Sequence, residues 1–115
     1  MRFLLLLRGD AAAEAAMTDV DRRAMVDDHI AYAAMLRERG AYVSGDPLDV
    51  PERGRVIRFD GPEPTVTDGP FVEAKESLGG FYVLDCASAD EATELARQLP
   101  RSPGLVAEIR PIPSV

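Results

Sequence analysis

The run from Phe3 to Leu7, in which every residue is apolar, constrains the fold more than any other feature of the chain. Its periodicity does not separate a strand from a helix, but its shortness and the glycine at position 9 favour a strand. Because successive side chains of a strand point to opposite faces, both faces of this strand are apolar. Such a strand lies inside a sheet, so the run predicts a central β-strand.

Capping and breaking residues predict two helices. Thr18 is a helix N-cap with acidic residues in the turn that follows, and Gly40 is a C-terminal stop, so one helix is predicted between them. Ser88 and Glu91 form a capping box for a second helix, which Pro100 ends. The alanine-rich residues before Thr18 predict a loop with a helical turn.

Alternating apolar residues and turn signals predict the remaining strands. They lie at residues 41–44, 55–59, 65–67, 81–86 and 105–109. Gly45-Asp46-Pro47 is expected to break the first of these strands. Ile57 and Phe59 are expected on one half-buried face of the second, which a turn joins to the third as a hairpin.

The predicted order is strand, helix, strand, inserted hairpin, strand, helix, strand within a single α+β domain over residues 1–115. This is a split βαβ arrangement, in which two helices cover one face of an antiparallel sheet. Leu4 and Leu6 point opposite to Phe3, Leu5 and Leu7, and two helices can cover only one of these two apolar faces. We therefore expect a homodimer that buries sheet against sheet.

Composition excludes several classes of protein. A net charge of -7, with Arg22, Arg23, Arg37 and Arg39 intermingled with acidic residues as on a solvated helix face, disfavours binding to nucleic acid or to an anionic membrane. No apolar stretch is long enough to span a bilayer, and the N-terminal run is shorter than the apolar region of a signal peptide. A single cysteine, Cys86, gives no disulfide framework and is interpreted as a core residue, so the cytoplasm is the expected location.

The segment from Thr67 to Tyr82 is the candidate functional segment. Asp68-Gly69-Pro70 predicts a rigid turn, in which the glycine is free to take a positive φ and the proline fixes its own. Charged residues follow at Glu73, Lys75 and Glu76, before Gly79-Gly80 leads into an apolar strand. A polar loop attached to a buried strand is a common place for binding and catalytic groups.

This segment resembles the signature of the DGPF-type YCII-related proteins. The matching residues are Asp68-Gly69-Pro70-Phe71, Glu73, Lys75-Glu76 and Leu78-Gly79-Gly80, with Arg8-Gly9-Asp10, Leu99-Pro100 and Glu108-Ile109-Arg110-Pro111 elsewhere. The resemblance implies a ferredoxin-like βαββαβ domain that dimerises through its sheet, as in dimeric α/β-barrel proteins. It implies little about a reaction, because the family is largely uncharacterised.

His29, the only histidine, is the first candidate catalytic residue. At helical spacing it falls within an apolar face formed by Met25, Val26, Ile30, Tyr32, Ala33 and Leu36. A histidine there suits a general base in an apolar groove, or a core histidine whose ring nitrogens are hydrogen-bonded. Both interpretations remain open. Asp28-His29-Ile30-Ala31-Tyr32 also resembles the histidine part of a histidine–aspartate pair in the wider YCII group.

The aspartate of that pair has no counterpart at its usual place after the second helix, where residues 99–103 contain no acid. Asp68 is the proposed substitute, although it also suits a purely structural role as the cap of its turn. Phe71, Glu73, Lys75, Glu76 and Tyr82 are predicted to bind substrate. The charged members suit an internal charge network equally well.

Other kinds of site have no support in the sequence. Gly79-Gly80 predicts a bulge or a close backbone approach, and no phosphate-binding pattern accompanies it. No spacing of histidine, cysteine and carboxylate residues predicts a metal site, and no cofactor is expected.

Two functional hypotheses follow. The first is a cofactor-free isomerase or lyase-like enzyme that uses His29 and Asp68 on a small organic substrate. The second is a non-catalytic ligand-binding or regulatory module, since DGPF-type domains resemble partners of extracytoplasmic-function sigma factors. The sequence alone does not decide whether the chain is an enzyme.

Overall fold

The computed structural model describes residues 1–69 and 76–114. The strands are β1 (Arg2–Asp10), β2 (Tyr42–Pro47), β3 (Arg55–Arg58), β4 (Thr65–Asp68), β5 (Glu76–Asp85) and β6 (Val106–Ile112). The α-helices are α1 (Ala11–Ala15), α2 (Asp19–Glu38) and α3 (Ala89–Ala96), and a short 3-10 helix covers Pro51–Arg53.

Four strands form one antiparallel sheet in the order β2-β5-β1-β6. Strand β1 pairs on both sides, with β5 and with β6, which confirms the prediction that it is central. This order, with a helix after β1 and another after β5, is that of a ferredoxin-like α+β fold, as expected.

Burial alternates along β1 and defines the two faces of the sheet. Phe3, Leu5 and Leu7 are buried in the core, whereas Leu4 and Leu6 are only partly covered. The same core takes Tyr32 and Leu36 from α2, and Ala92, Leu95 and Leu99 from the α3 region. The two long helices therefore cover the face that carries Phe3, Leu5 and Leu7.

Local hydrogen bonds explain the limits of α2. The side chain of Thr18 accepts a hydrogen bond from the backbone N–H of Asp21, whose carboxylate accepts one from the backbone N–H of Thr18, each at 3.1 Å. Gly40 has φ of 68°, and the N–H of Ala41 donates to the carbonyl of Leu36 at 2.9 Å. The predicted N-cap and C-terminal stop are both confirmed.

Helix α3 begins at the predicted cap. The hydroxyl of Ser88 accepts a hydrogen bond from the N–H of Glu91 at 3.2 Å. The Glu91 carboxylate accepts one from the N–H of Ala87 at 2.9 Å, one residue before the position that a standard capping box uses. The helix ends at Ala96, ahead of Pro100.

The expected break at Gly45-Asp46-Pro47 is wrong, because β2 continues through all three residues. Strand β2 pairs only with β5 and so lies at an edge of the sheet. Edge strands tolerate proline, since one side of the strand needs no hydrogen-bond donors. The same reason explains how β6, at the opposite edge, continues through Pro111.

Strands β3 and β4 pair with each other in a separate two-stranded sheet, with Ile57 opposite Val66. The expected half-buried face is wrong: Ile57 is 52% exposed and Phe59, just beyond β3, is 77% exposed. Alternation shows which side chains share a face, but it does not show whether anything covers that face.

Candidate functional site

A groove of about 350 Å³ lies between α2 and one end of the paired strands β2 and β5. Helix α2 lines it with Met25, Val26, His29, Ile30, Ala33 and Arg37. The strands line it with Tyr42, Gly45, Asp46, Pro47, Gly79, Gly80, Phe81 and Tyr82. The groove is mainly apolar, with a few polar groups that converge on its wall, as in small-molecule sites.

His29 and Tyr82 meet in this groove. The His29 Nδ1 and the Tyr82 hydroxyl are 2.7 Å apart, and the two rings stack with centroids 6.0 Å apart and 18° between their planes. Tyr32 packs edge-on against the Tyr82 ring at 5.3 Å, while its own hydroxyl donates to the Leu95 carbonyl at 2.7 Å. The Tyr82 ring is thus positioned by contacts with two residues of α2.

The absence of a side chain at Gly45 leaves room for the ring of Tyr82. A Cβ at this position would lie 2.5 Å from Cδ1 of Tyr82 and 2.9 Å from the carbonyl oxygen of Phe81. Either contact would force the ring or the strand to move. The glycine of the Gly-Asp-Pro sequence therefore makes room for an aromatic side chain of the neighbouring strand.

The two glycines at the start of β5 also fit the groove wall. Leu7 pairs with Gly80 but Arg8 pairs with Leu78, so Gly79 is the extra residue of a β-bulge. A Cβ on Gly80 would lie 3.2 Å from the carbonyl oxygen of Asp46. The predicted bulge and close backbone approach are both confirmed.

Burial changes the acid–base properties of the pair. Loss of hydration lowers the pKa of His29 below its usual 6.5, an effect that the nearby charge of Asp28 opposes. Burial, together with neighbouring Tyr42, raises the pKa of Tyr82 to about 12. Both groups are therefore neutral near pH 7.

Two hydrogen-bond arrangements are open to a neutral histidine and a neutral tyrosine. If the Tyr82 hydroxyl donates to Nδ1, then Nε2 of His29 carries the ring proton and acts as a donor. If Nδ1–H donates to Tyr82, then Nε2 is a free base and the tyrosine hydroxyl proton is available to a bound molecule. The pair is therefore able both to accept and to donate a proton.

Arg37 is the groove residue that sequence reasoning missed, since arginines near the end of α2 were interpreted as a solvated face. Its guanidinium lies 4.2 Å from the centroid of the Tyr42 ring. Val26, Ile30, Ala33 and Arg37 follow one another at spacings of four, three and four residues, which places them in one line along the helix. That spacing was the available signal.

Asp68 lies at the end of β4, opposite Arg55, and it is not among the described residues that line the groove. The N–H of Gly69 donates to the carbonyl of Gly54 at 2.8 Å. Gly69 does not take a positive φ; instead, a Cβ there would collide with the carbonyl oxygen of Pro51. The structure thus does not bring Asp68 to His29 within the described groove, and its pairing with His29 stays a prediction.

The structure describes only some of the predicted substrate-binding residues. Phe71, Glu73 and Lys75 lie outside the described residues, as does Pro70 of the predicted turn. Glu76 begins β5. Tyr82, which the structure describes fully, lies beside His29.

Cys86 belongs to the core, as predicted. It is buried as a free thiol, and burial raises its pKa. Within residues 1–69 and 76–114, no three histidine, cysteine or carboxylate residues are grouped so that they would hold a metal ion. In the same part of the chain, no helix has the length and apolar character that crossing a membrane requires.

Comparison with known proteins identifies a domain family. A model of the YCII-related domain matches residues 1–113. A 43-residue stretch is 56% identical to an uncharacterised protein of Rhizobium meliloti (strain 1021), and it covers 37% of this chain and 35% of that protein. This chain therefore matches about a third of the length of that relative.

Proposed function

We propose a proton-transfer function for this chain, which belongs to the YCII-related domain family. In this proposal the chain is a cofactor-free isomerase or lyase-like enzyme that acts on a small organic molecule in the groove beside α2. The observation that supports it is the 2.7 Å contact between His29 Nδ1 and the Tyr82 hydroxyl on the groove wall. Because the pKa of His29 lies below its usual 6.5, the imidazole is unprotonated near neutral pH and is available to accept a proton.

The reaction needs only proton movement. With Nδ1–H of His29 donating to Tyr82, Nε2 removes a proton from a carbon atom of the substrate. The tyrosine O–H donates a hydrogen bond to the substrate oxygen on which negative charge develops. In an isomerisation the imidazolium returns the proton to another carbon; in an elimination the electron pair expels a leaving group instead. Each course conserves atoms and electrons without an added oxidant or reductant.

This proposal gives Tyr82 the role of orienting His29, which the sequence prediction had given to Asp68. The reason is that Tyr82 contacts the imidazole, whereas Asp68 lies on the β3–β4 hairpin and outside the described lining of the groove. A contribution from Asp68 remains a separate prediction, which the Asp68→Asn variant tests in the same assay.

The test is hydrogen exchange in D₂O. A library of small carbonyl compounds is incubated with the protein, and NMR measures deuterium incorporation at carbon. We expect His29→Gln to abolish any exchange that the wild type catalyses. Tyr82→Phe should slow the exchange by about a hundredfold or more, which is the usual contribution of a positioned acid or base. Val20→Ala, at a site 77% exposed on α2 and away from the groove, serves as the control.

Unchanged exchange in a folded His29→Gln variant would refute the proposed chemistry. The melting temperature and the circular dichroism spectrum of each variant establish that it is folded. Comparison of Tyr82→Phe with Asp68→Asn shows which of the two side chains assists His29.

A second candidate function is a regulatory or ligand-binding module associated with sigma-factor systems. The β3–β4 hairpin favours it, because Ile57, Val66 and Phe59 are 52%, 60% and 77% exposed, and exposed apolar patches often contact other proteins. Loss of partner binding on Ile57→Asp, with hydrogen exchange absent throughout, would favour this function over the enzyme.

We further propose that the chain acts as a homodimer. Leu4 lies opposite Val83 and Leu6 opposite Phe81, so these four side chains share the sheet face that α2 and α3 leave uncovered. Each is only partly buried within the chain. Packing this face against a second copy would remove it from water.

A further inference from the structure

We propose that Arg37 makes the groove selective for small organic anions, carboxylates in particular. The inference deepens the proposed function by naming the substrate class, and it rests on that function for the reaction but not for binding. Its basis is Arg37, which lines the same groove as His29 and Tyr82 and whose guanidinium lies over the ring of Tyr42, another groove residue.

The side chain of Arg37 stacks on an aromatic ring and donates no hydrogen bond to the residues that the structure describes. Its guanidinium lies over the ring of Tyr42 at 4.2 Å, and among the described residues it forms no ion pair. By contrast, ion pairs with carboxylates of described residues are formed by Arg8, Arg53, Arg97 and Arg110. A guanidinium stacked on an aromatic ring keeps its N–H edge free, and that edge matches the two oxygens of a carboxylate.

Asp46, an acidic residue that lines the groove, does not prevent Arg37 from binding an anion. Asp46 pairs with Phe81, and the preceding residue Gly45 pairs with Tyr82. Because neighbouring residues of a strand point to opposite faces, the side chain of Asp46 points away from the face on which Tyr82 meets α2. Asp46 therefore lines the groove mainly through its backbone.

Arg37 and the His29–Tyr82 pair are close enough for one small ligand to contact both. Residues 29 and 37 are about 12 Å apart along the axis of α2, but helical side chains lean toward the N-terminus, so Arg37 extends toward His29. Between them, Ile30 and Ala33 line the groove, and Ile30 is 63% exposed. A ligand with a ring against these two side chains, its carboxylate on Arg37, would place a ring carbon near His29.

The size of the groove sets an upper bound on the ligand. Its volume of about 350 Å³ is near the lower end of the range for small-molecule sites. This fits a carboxylate with one five- or six-membered ring better than a nucleotide or a peptide.

A charged residue in the last turn of a helix also has a structural explanation, because the helix dipole favours positive charge there. Arg39 separates the two explanations. It stands at the C-terminal end of the same helix but does not line the groove. Arg37→Gln and Arg39→Gln therefore change the net charge equally, and only the first removes a cation from the groove.

The experiment is an NMR titration with benzoate and cyclohexanecarboxylate, each compared with its primary amide. The chain has one histidine, so the imidazole signals report on His29 without ambiguity. We expect the better carboxylate to bind wild type and Arg39→Gln about tenfold more tightly than its amide, as a partly hydrated arginine–carboxylate contact allows. In Arg37→Gln this preference should disappear.

Three results would overturn the inference: equal affinity for acids and amides, a preference that survives in Arg37→Gln, or no binding by any of the four probes. If acids and amides bind with equal affinity and both change the chemical shifts of the His29 imidazole, the anion preference is refuted and the proposed proton transfer is unaffected. Conversely, an Arg37-dependent preference supports the inference even if His29→Gln leaves hydrogen exchange unchanged, in which case only the proposed reaction fails.

Discussion

The contact between His29 and Tyr82 is open to a direct energetic test with Tyr82→Phe. The substitution removes the hydroxyl that lies 2.7 Å from His29 Nδ1 but keeps the ring that contacts Tyr32. A single hydrogen bond between neutral groups contributes about 1 kcal/mol, and the open groove lets water replace part of it. For a domain of this size we expect a loss of about 4 °C in melting temperature.

A double-mutant cycle separates the hydrogen bond from other effects of the substitution. Unfolding by urea is measured for wild type, Tyr82→Phe, His29→Leu and the double variant. We expect a coupling energy of about 1 kcal/mol between the two positions. Tyr32→Phe is the matched control, because its hydroxyl donates to the carbonyl of Leu95 and not to His29.

The reasoning fails if the coupling between positions 29 and 82 is below about 0.3 kcal/mol, which is the level expected for independent sites. It also fails if Tyr32→Phe couples to His29→Leu as strongly as Tyr82→Phe does. Either result would mean that the imidazole and the Tyr82 hydroxyl do not share a hydrogen bond in solution, and the proposed chemistry would lose its main support.

Burial lowers the pKa of His29, so the unfolded chain binds a proton more readily than the folded chain as pH falls below about 6.5. The free energy of unfolding of the wild type should therefore fall as the pH drops below about 6.5, until the pKa of His29 in the folded chain is reached. Relative to His29→Gln, the fall should be at most about 1.4 kcal/mol per pH unit. Urea unfolding from pH 7.5 to 5 measures this, and a pH-independent difference would contradict it. Gly45→Ala should lower the free energy of unfolding by about 1–3 kcal/mol, because the added methyl group displaces Tyr82. Gly61→Ala, where the nearest atom to the added methyl group is 3.9 Å away, should lower it by less than about 0.5 kcal/mol in the same urea unfolding measurement. Leu6→Lys should give a monomeric mass by light scattering at micromolar protein, where wild type gives a dimer; equal masses would argue against the sheet-to-sheet interface.

Sequence reasoning was most accurate where the local pattern and the tertiary structure impose the same requirement. The run from Phe3 to Leu7 is apolar on both faces, and β1 is paired on both sides. Thr18 and Gly40 act through their own backbone surroundings, so α2 begins and ends where they predict. The expected break after Ser44 failed for a related reason, because proline is excluded only from strands that need donors on both edges.

The candidate site was less predictable because it joins elements that are distant in the chain. His29 was identified from its place on the apolar face of α2, but its partner Tyr82 lies 53 positions away. Nothing local in the sequence shows that Gly45 makes room for the Tyr82 ring. Arg37 was classed with the solvated arginines because its neighbours are charged, although its spacing from Ile30 and Ala33 places it on the groove side of the helix.

Strand β5 has two faces, one of which carries Tyr82, while the other would meet a second copy in the proposed homodimer. Tyr82 points toward the imidazole of α2, while the residues directly before and after it, Phe81 and Val83, belong to the opposite surface of the sheet. A sideways displacement of this one strand when two copies meet would alter the distance from the phenol oxygen to Nδ1. If the proposed homodimer forms, one backbone segment would connect the subunit interface to the imidazole–phenol contact, without a chain of intervening side chains.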